Sequence, residues 1–379
     1  MIPGVCPKAL VLLLVLPFFQ CGHPPEPGGE LTEEPGSSAS DPAILARLET
    51  VLQTEPDLQI GVFDGPGPDV FGTIAEVLVD SMGGLVVLDR DQPTVLWFDV
   101  DGEFRGSAGR GGSGPGEFRS VKRMALGSLG RIHVLDGARR ITTFEQSDSG
   151  FLFLDSFSST LPLEDFCELD NRVFVHTPRH ESILGEMEVG GEGELIRGFG
   201  DRLTVKDNDD IAHLWDHPIM GDGLRSWQNR GQLLCVASPP TFVVVPHSMP
   251  WVRAFHASGR ALWRWDLDDF RKTHYWAPGG GAAVAHGVDP RTGTVHQLQA
   301  VALLDSKTFA ASYRESSLTD HEGVLEVRVL SLGDGRELLR VRNARLAIAG
   351  VTAEGHLVGF SNYPFPHLGL YRHALSPRN

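Results

Sequence analysis

The feature that most constrains this 379-residue chain is that it repeats itself. GGLVVLDRDQPTVLWFDVDGEF, from Gly83, lies over GRIHVLDGARRITTFEQSDSGFL, from Gly130, with Asp89 opposite Asp136, 47 positions further on. Each segment reads as an apolar strand, a turn, a second strand, an Asp-rich turn and a third strand. A third copy starts at Asn171, a fourth runs from Thr241 to Leu267, a fifth from Thr308 to Val341 and a sixth from Leu346 to Leu375. One such sheet cannot bury both faces alone, so neighbours must cover it, and six units at a period near 45 residues close into a ring. The expected fold is all-β, a six-bladed β-propeller of four-stranded antiparallel sheets over residues 58–379. The run DVFGTIAEV, Asp69 to Val77, is expected to supply the outer strand that closes the last blade against the first.

Between the first two copies stands GRGGSGPGEF, Gly109 to Phe118, with five glycines. Gly109, Gly111 and Gly114 satisfy G-x-G-x-x-G, a dinucleotide fingerprint only where a strand precedes it and a helix follows. Here Gly127 and Gly130 interrupt any helix, and an Asp-bounded strand lies beyond. The stretch therefore reads as the connection from one blade to the next, with glycine supplying positive φ and Phe118 wedged between sheets. GSGPGEF followed by a strand, GRIHVLD, a turn and RITTFE resembles the NHL-repeat pattern of exported six-bladed propellers, most closely in the first two copies. That resemblance implies fold and carries little about activity.

The N-terminus is read apart from the fold. Lys8 precedes an unbroken apolar run, Ala9 to Phe19, which has the length of a signal-peptide core and is too short to span a bilayer. Residues 1–20 are therefore expected to be a signal peptide. Cys21 follows at once, an arrangement that resembles the lipobox of bacterial lipoproteins and implies lipidation of Cys21; Gln20 departs from the small residue usual before that cysteine. Residues 21–57, rich in Pro, Gly and Glu, read as a flexible tether. The expected location is the bacterial cell envelope or the extracellular space, with membrane contact only through the lipid.

Charge excludes one class of partner. A formal net charge of −16 without a basic cluster opposes the phosphate backbone of nucleic acid. Cys167 and Cys235 remain once Cys6 and Cys21 are assigned to the targeting segment; a disulfide and two buried thiols both stay open.

Two clusters carry candidate chemistry. In KDNDDIAHLWDHPIMGDG, Asp207, Asp209, His213 and His217 could hold Ca²⁺ or Zn²⁺, and His213 and His217 would share a face if the segment were helical. The competing reading is a solvated loop, since EF-hand spacing is absent. In WRWDLDDFRKTHYWAPGGG, Trp265, His274, Tyr275 and Trp276 could form an aromatic rim that binds a glycan, peptide or protein, against inward packing of the strand tryptophans. No HExxH or GxSxG motif is present. The sequence favours a binding or scaffolding module with no cofactor required. The alternative is a metal-dependent hydrolase or lyase with its ligands converging in the central channel.

Overall fold

Leu85–Asp89, the second strand of the first blade, shows why the apolar runs lack polar interruptions. Successive side chains of a strand point to opposite faces of its sheet, and here both faces are covered. Val86 and Leu88 pack with Phe118, Val121 and Met124 of the next blade, whereas Leu85 and Val87 join the cluster that holds Leu346, Ile348 and Leu357 of the last. All four side chains are fully buried, each stabilising the fold by about 1.5–3 kcal/mol.

The computed structural model describes residues 40–379, apart from 138, 148–149, 189–192, 205, 207–211, 218, 277–284, 289–290, 318, 321 and 376–379. The expected signal peptide, Cys21 and the first part of the expected tether lie outside the described residues. Six four-stranded antiparallel sheets follow one another. Blade 1 comprises Ile74–Val79, Leu85–Asp89, Thr94–Phe98 and Phe104–Ala108, from the innermost strand outward. The innermost strands of blades 2 to 6 are Val121–Leu126, Asp165–Leu169, Gly231–Val236, Thr294–Leu303 and Ala347–Val351. Five of the six repeats seen in the sequence begin at or near the second strand of a blade and the sixth at the first, and all six fall on separate sheets.

Ring closure differs from the expectation. Leu58–Ile60 pairs antiparallel with His367–Tyr371 and supplies the outermost strand of blade 6. Ile74–Val79, within the run expected to play that part, is instead the innermost strand of blade 1, because Leu85–Asp89 needs a partner on its channel side. The distal part of the expected tether is also folded: Pro42–Val51 forms helix α1, capped by the Asp41 carboxylate on the Ala43 N–H. Ile44, Leu48 and Leu52, four residues apart along one face, bury against blades 5 and 6.

The glycine-rich connection is a turn built around Glu117. Its carboxylate accepts the N–H groups of Ser113 and Gly114 at 3.0 and 2.8 Å and pairs with Arg110. Gly109 lies at φ +83°, where an added Cβ would stand 2.1 Å from the Phe118 ring. Phe118 is fully buried between blades 1 and 2, edge-on to Phe144. The repeated aspartates do the same work twice: Asp89 accepts the N–H groups of Gly72 and Thr73, and Asp136 those of Arg119 and Ser120, each fixing the chain as it enters an innermost strand.

Two larger insertions occupy equivalent connections. The one between blades 3 and 4 carries α2 (Ala212–Trp215) and α3 (Met220–Gln228); the one between blades 4 and 5 carries His274–Trp276 paired with Ala285–Gly287. They meet in a small core of Leu214, Trp215, Leu224 and Tyr275. Phe118→Ala is expected to destabilise the protein by about 3–5 kcal/mol through the cavity it leaves, and Gly109→Ala to destabilise it through strain at the same contact. Urea unfolding checks both; a Gly109→Ala midpoint equal to that of the wild type would refute the wedge.

Candidate functional site: the central channel

The six innermost strands leave a channel that is wide at one mouth and narrow within. At the end where these strands terminate, the cavity measures about 510 Å³ and is lined by Leu126, Leu234, Val301, Leu303 and Val351 with Glu76, Asp165 and Glu168 among them. Further in, it narrows to about 40 Å³ between Glu76, Arg123, Gln232 and Gln299.

Two carboxylates of the channel are held across blades. Glu76 of blade 1 accepts the Met124 N–H of blade 2 at 2.5 Å, and Asp165 of blade 3 accepts the Leu233 N–H of blade 4 at 2.7 Å. Burial pushes the Glu76 carboxyl up to about 8, with Arg123 opposing and Asp165 adding to the rise. Burial likewise raises Asp165 to about 6, again opposed by Arg123. Glu76 retains partial exposure, but only toward the channel, where protein surrounds it.

The opposite mouth, where the chain enters the innermost strands, is basic. Glu164 accepts Arg230 at 3.0 Å and stands 3.4 Å from His247. Burial would raise its pKa, yet the His247 hydrogen bond and the charges of Arg230 and Lys122 outweigh it and hold Glu164 at about 2. Burial lowers His247, and it lowers the neighbouring His176 to about 4, so both imidazoles are neutral near pH 7.

The structure separates the residues singled out in the sequence. Asp207 and Asp209 lie outside the described residues. His213 is exposed on α2, which ends at Trp215, so His217 does not share a helix face with it. His217 instead accepts the N–H groups of Ile219 and Met220 at 3.3 and 3.2 Å, at the start of α3. Among the described residues no group of three His, Cys, Asp or Glu side chains is arranged to hold a metal ion. Trp265 is half-buried on the outermost strand of blade 4, beside Gly335 of blade 5. Tyr275 is buried in the core of the insertions and stacks on Trp227, while His274 and Trp276 stack on each other at 5.8 Å. Cys167 and Cys235 form a disulfide that ties the innermost strands of blades 3 and 4 at the wide mouth, resolving the pairing left open.

Sequence reasoning missed Glu76, Arg123, Glu164, Asp165, Arg230 and His247. The available signal, for Glu76 and Arg123, was charge inside a mostly apolar innermost strand, as in TIAEVLV and VKRMAL; Glu164, Arg230 and His247 lie just outside strands and left none.

The comparisons place the fold. Residues 70–180 match the family model DUF5128, described as a 6-bladed beta-propeller, over blades 1 and 2 and the first two strands of blade 3. A member of the DUF4221 family from Bacteroides vulgatus superposes with a TM-score of 0.52 at 9% identity, over 84% of this chain and 99% of that one. A Bacteroides fragilis protein described as a candidate exported protein superposes at 0.50 and 9% identity, over 78% and 81%. Virginiamycin B lyase from Staphylococcus aureus reaches 0.44 at 8% identity, over 84% and 96%. No curated protein matches the sequence. At these identities the likeness is one of fold: the chain is a six-bladed β-propeller.

A carboxyl whose folded pKa stands above its unfolded value binds its proton more tightly when folded. The contribution of Glu76 is therefore whole below about 4.5 and is lost as pH rises through about 8. Glu76→Gln keeps an acceptor for the Met124 N–H without the charge. It is expected to flatten the fall in melting temperature between pH 5 and 9 and to raise that temperature at pH 8.5 by roughly 2 °C or more. Thermal melts across this range decide the matter, and parallel curves for the two proteins count against a neutral Glu76.

Proposed function

We propose that the chain is an exported, envelope-associated binding module whose ligand occupies the wide mouth of the central channel. The observation that carries this reading is the cavity of about 510 Å³ to which all six innermost strands contribute, its Leu, Val and Ala side chains interspersed with the convergent carboxylates of Glu76, Asp165 and Glu168. Binding sites for small molecules have this size and composition. The ring of sheets and the disulfide at the mouth hold the lining rigid, so little conformational entropy is lost when a ligand enters. The Lys8-led apolar run before Cys21 supports export, as does the description of the Bacteroides fragilis propeller as a candidate exported protein. Lipidation of Cys21 would hold the module at a membrane surface.

A neutral apolar dye, Nile red, is expected to bind at one saturable site with increased fluorescence. Leu126→Glu with Val351→Glu puts two carboxylates at partly exposed positions of the mouth and is expected to weaken that binding about tenfold. Dye binding that is absent, or indifferent to the two substitutions, removes the wide mouth as the site. Separately, Cys21→Ala is expected to shift the protein from the membrane to the soluble fraction; a variant that stays with the membrane after signal removal refutes the anchor.

A further inference from the structure

Arg123 stands alone among the buried arginines. Arg328 is enclosed with Glu326 at 2.7 Å and Glu337 at 3.1 Å, and Arg253 reaches Asp201 at 3.0 Å. Arg123 is only 8% exposed, yet no described residue accepts a hydrogen bond from its guanidinium. The two nearest carboxylates are committed elsewhere: Glu76 to the Met124 N–H, Asp165 to the N–H groups of Phe166 and Leu233. Neither forms an ion pair with it. A guanidinium brings five donors in a planar fork, and the nitrogens of Arg123 are not fully enclosed, so the fork keeps its small exposure on the side of the narrow space it lines.

We propose that Arg123, flanked by Lys122, holds an oxyanion, the carboxylate or phosphate group of a small acidic ligand, in the narrow part of the channel. This deepens the reading of the channel as a binding site and rests on it. Lys122 is half-buried and pairs with no carboxylate among the described residues, Glu164 acting on it from a distance. Gln232 and Gln299 line the same narrow space and add polar surface beside the fork. Beyond them Arg230 and Arg179 add positive charge near Lys122, and Glu164, Asp165 and Glu76 are the carboxylates within reach of these cations. A concentration of cations inside a chain of net charge −16 draws anions inward and repels them from most of the outer surface. The planar fork matches carboxylate and phosphate oxygens bidentately, which an ammonium cannot do. Because the narrow space shares Glu76 and Val301 with the wide cavity, one ligand can place an apolar body in the mouth and its acidic group at Arg123.

The test uses the mature protein, titrated with sodium succinate and with sodium phosphate by calorimetry at constant ionic strength set with sodium chloride. Saturable binding of at least one anion at one site is expected, and the tighter of the two names the group. Arg123→Met is expected to abolish it, and Arg123→Lys, which keeps the charge and loses the fork, to weaken it about tenfold. Binding of neither anion by the wild-type protein overturns the proposal, as does binding that Arg123→Met or Arg123→Lys retains in full. Nile red separates the two levels: dye binding that persists when the anions fail leaves the wide-mouth reading standing, and loss of both refutes the channel as a site.

Discussion

The innermost strand of each blade has a ladder partner on one side only, so the backbone edge facing the channel carries N–H groups that need acceptors from elsewhere. The ring meets this need across blade boundaries. Glu76 reaches Met124, Asp165 reaches Leu233, the Ser312 hydroxyl accepts from Ile348, and Asn362 accepts from Ile74 while donating back to its carbonyl. Each of these bonds joins one sheet to the next close to the axis, where apolar side chains cannot satisfy a backbone donor. The polar character of the channel is therefore first a consequence of closing six sheets into a ring. A binding site can be assembled there because the same residues are already required inside.

That origin accounts for the unequal chemistry of the two mouths. Where the innermost strands end, the lining is mostly Leu, Val and Ala, and the carboxylates are tied to backbone or, for Glu168, to His133 and Ser128. Where they begin, Lys122, Arg230 and His247 gather about Glu164, whose carboxylate stays ionised in spite of burial. Opposed charges this close are stronger inside the ring than in water, since the protein around them screens poorly. The result is a channel whose two ends differ, one aliphatic with carboxylates tied to backbone and to His133, the other cationic about Glu164.

Much of the ring was legible in the sequence because its physics is local and repeated. Asp89 and Asp136 mark the same turn in two blades, and the glycines before Phe118 meet the positive φ and the close approach that this wedge demands. The closing strand was not legible: Leu58–Ile60 is three residues long, and its partner lies more than 300 positions away. Helix α1 left a trace in Asp41-Pro42 and in the spacing of Ile44, Leu48 and Leu52, but the polar composition around it obscured the signal. The channel residues were hidden for a different reason. Glu76, Arg123 and Asp165 lie in three separate strands of three different blades, and only the angular order of the blades brings them together. The clusters that did stand out in sequence were rich in His, Trp and Asp because they belong to the insertions between blades 3 and 4 and between blades 4 and 5, whose composition departs from the apolar rhythm of the blades.

The insertions nevertheless bear on the channel through Arg230. This residue follows α3 directly, and Asn229 before it is locked by three bonds, its amide donating to the carbonyls of Leu203 and Arg225 and its oxygen accepting from Leu203. Trp227, one turn back, stacks on Tyr275 of the second insertion at 6.3 Å. The aromatic contact thus fixes α3, α3 fixes the backbone at Arg230, and Arg230 meets Glu164 at the basic mouth. On this account Tyr275 acts as a support whose hydroxyl, pushed up to about 12 by burial, stays protonated. Tyr275, singled out in the sequence for an exposed rim, is thus packed into the support that leads through α3 to Arg230 and the basic mouth.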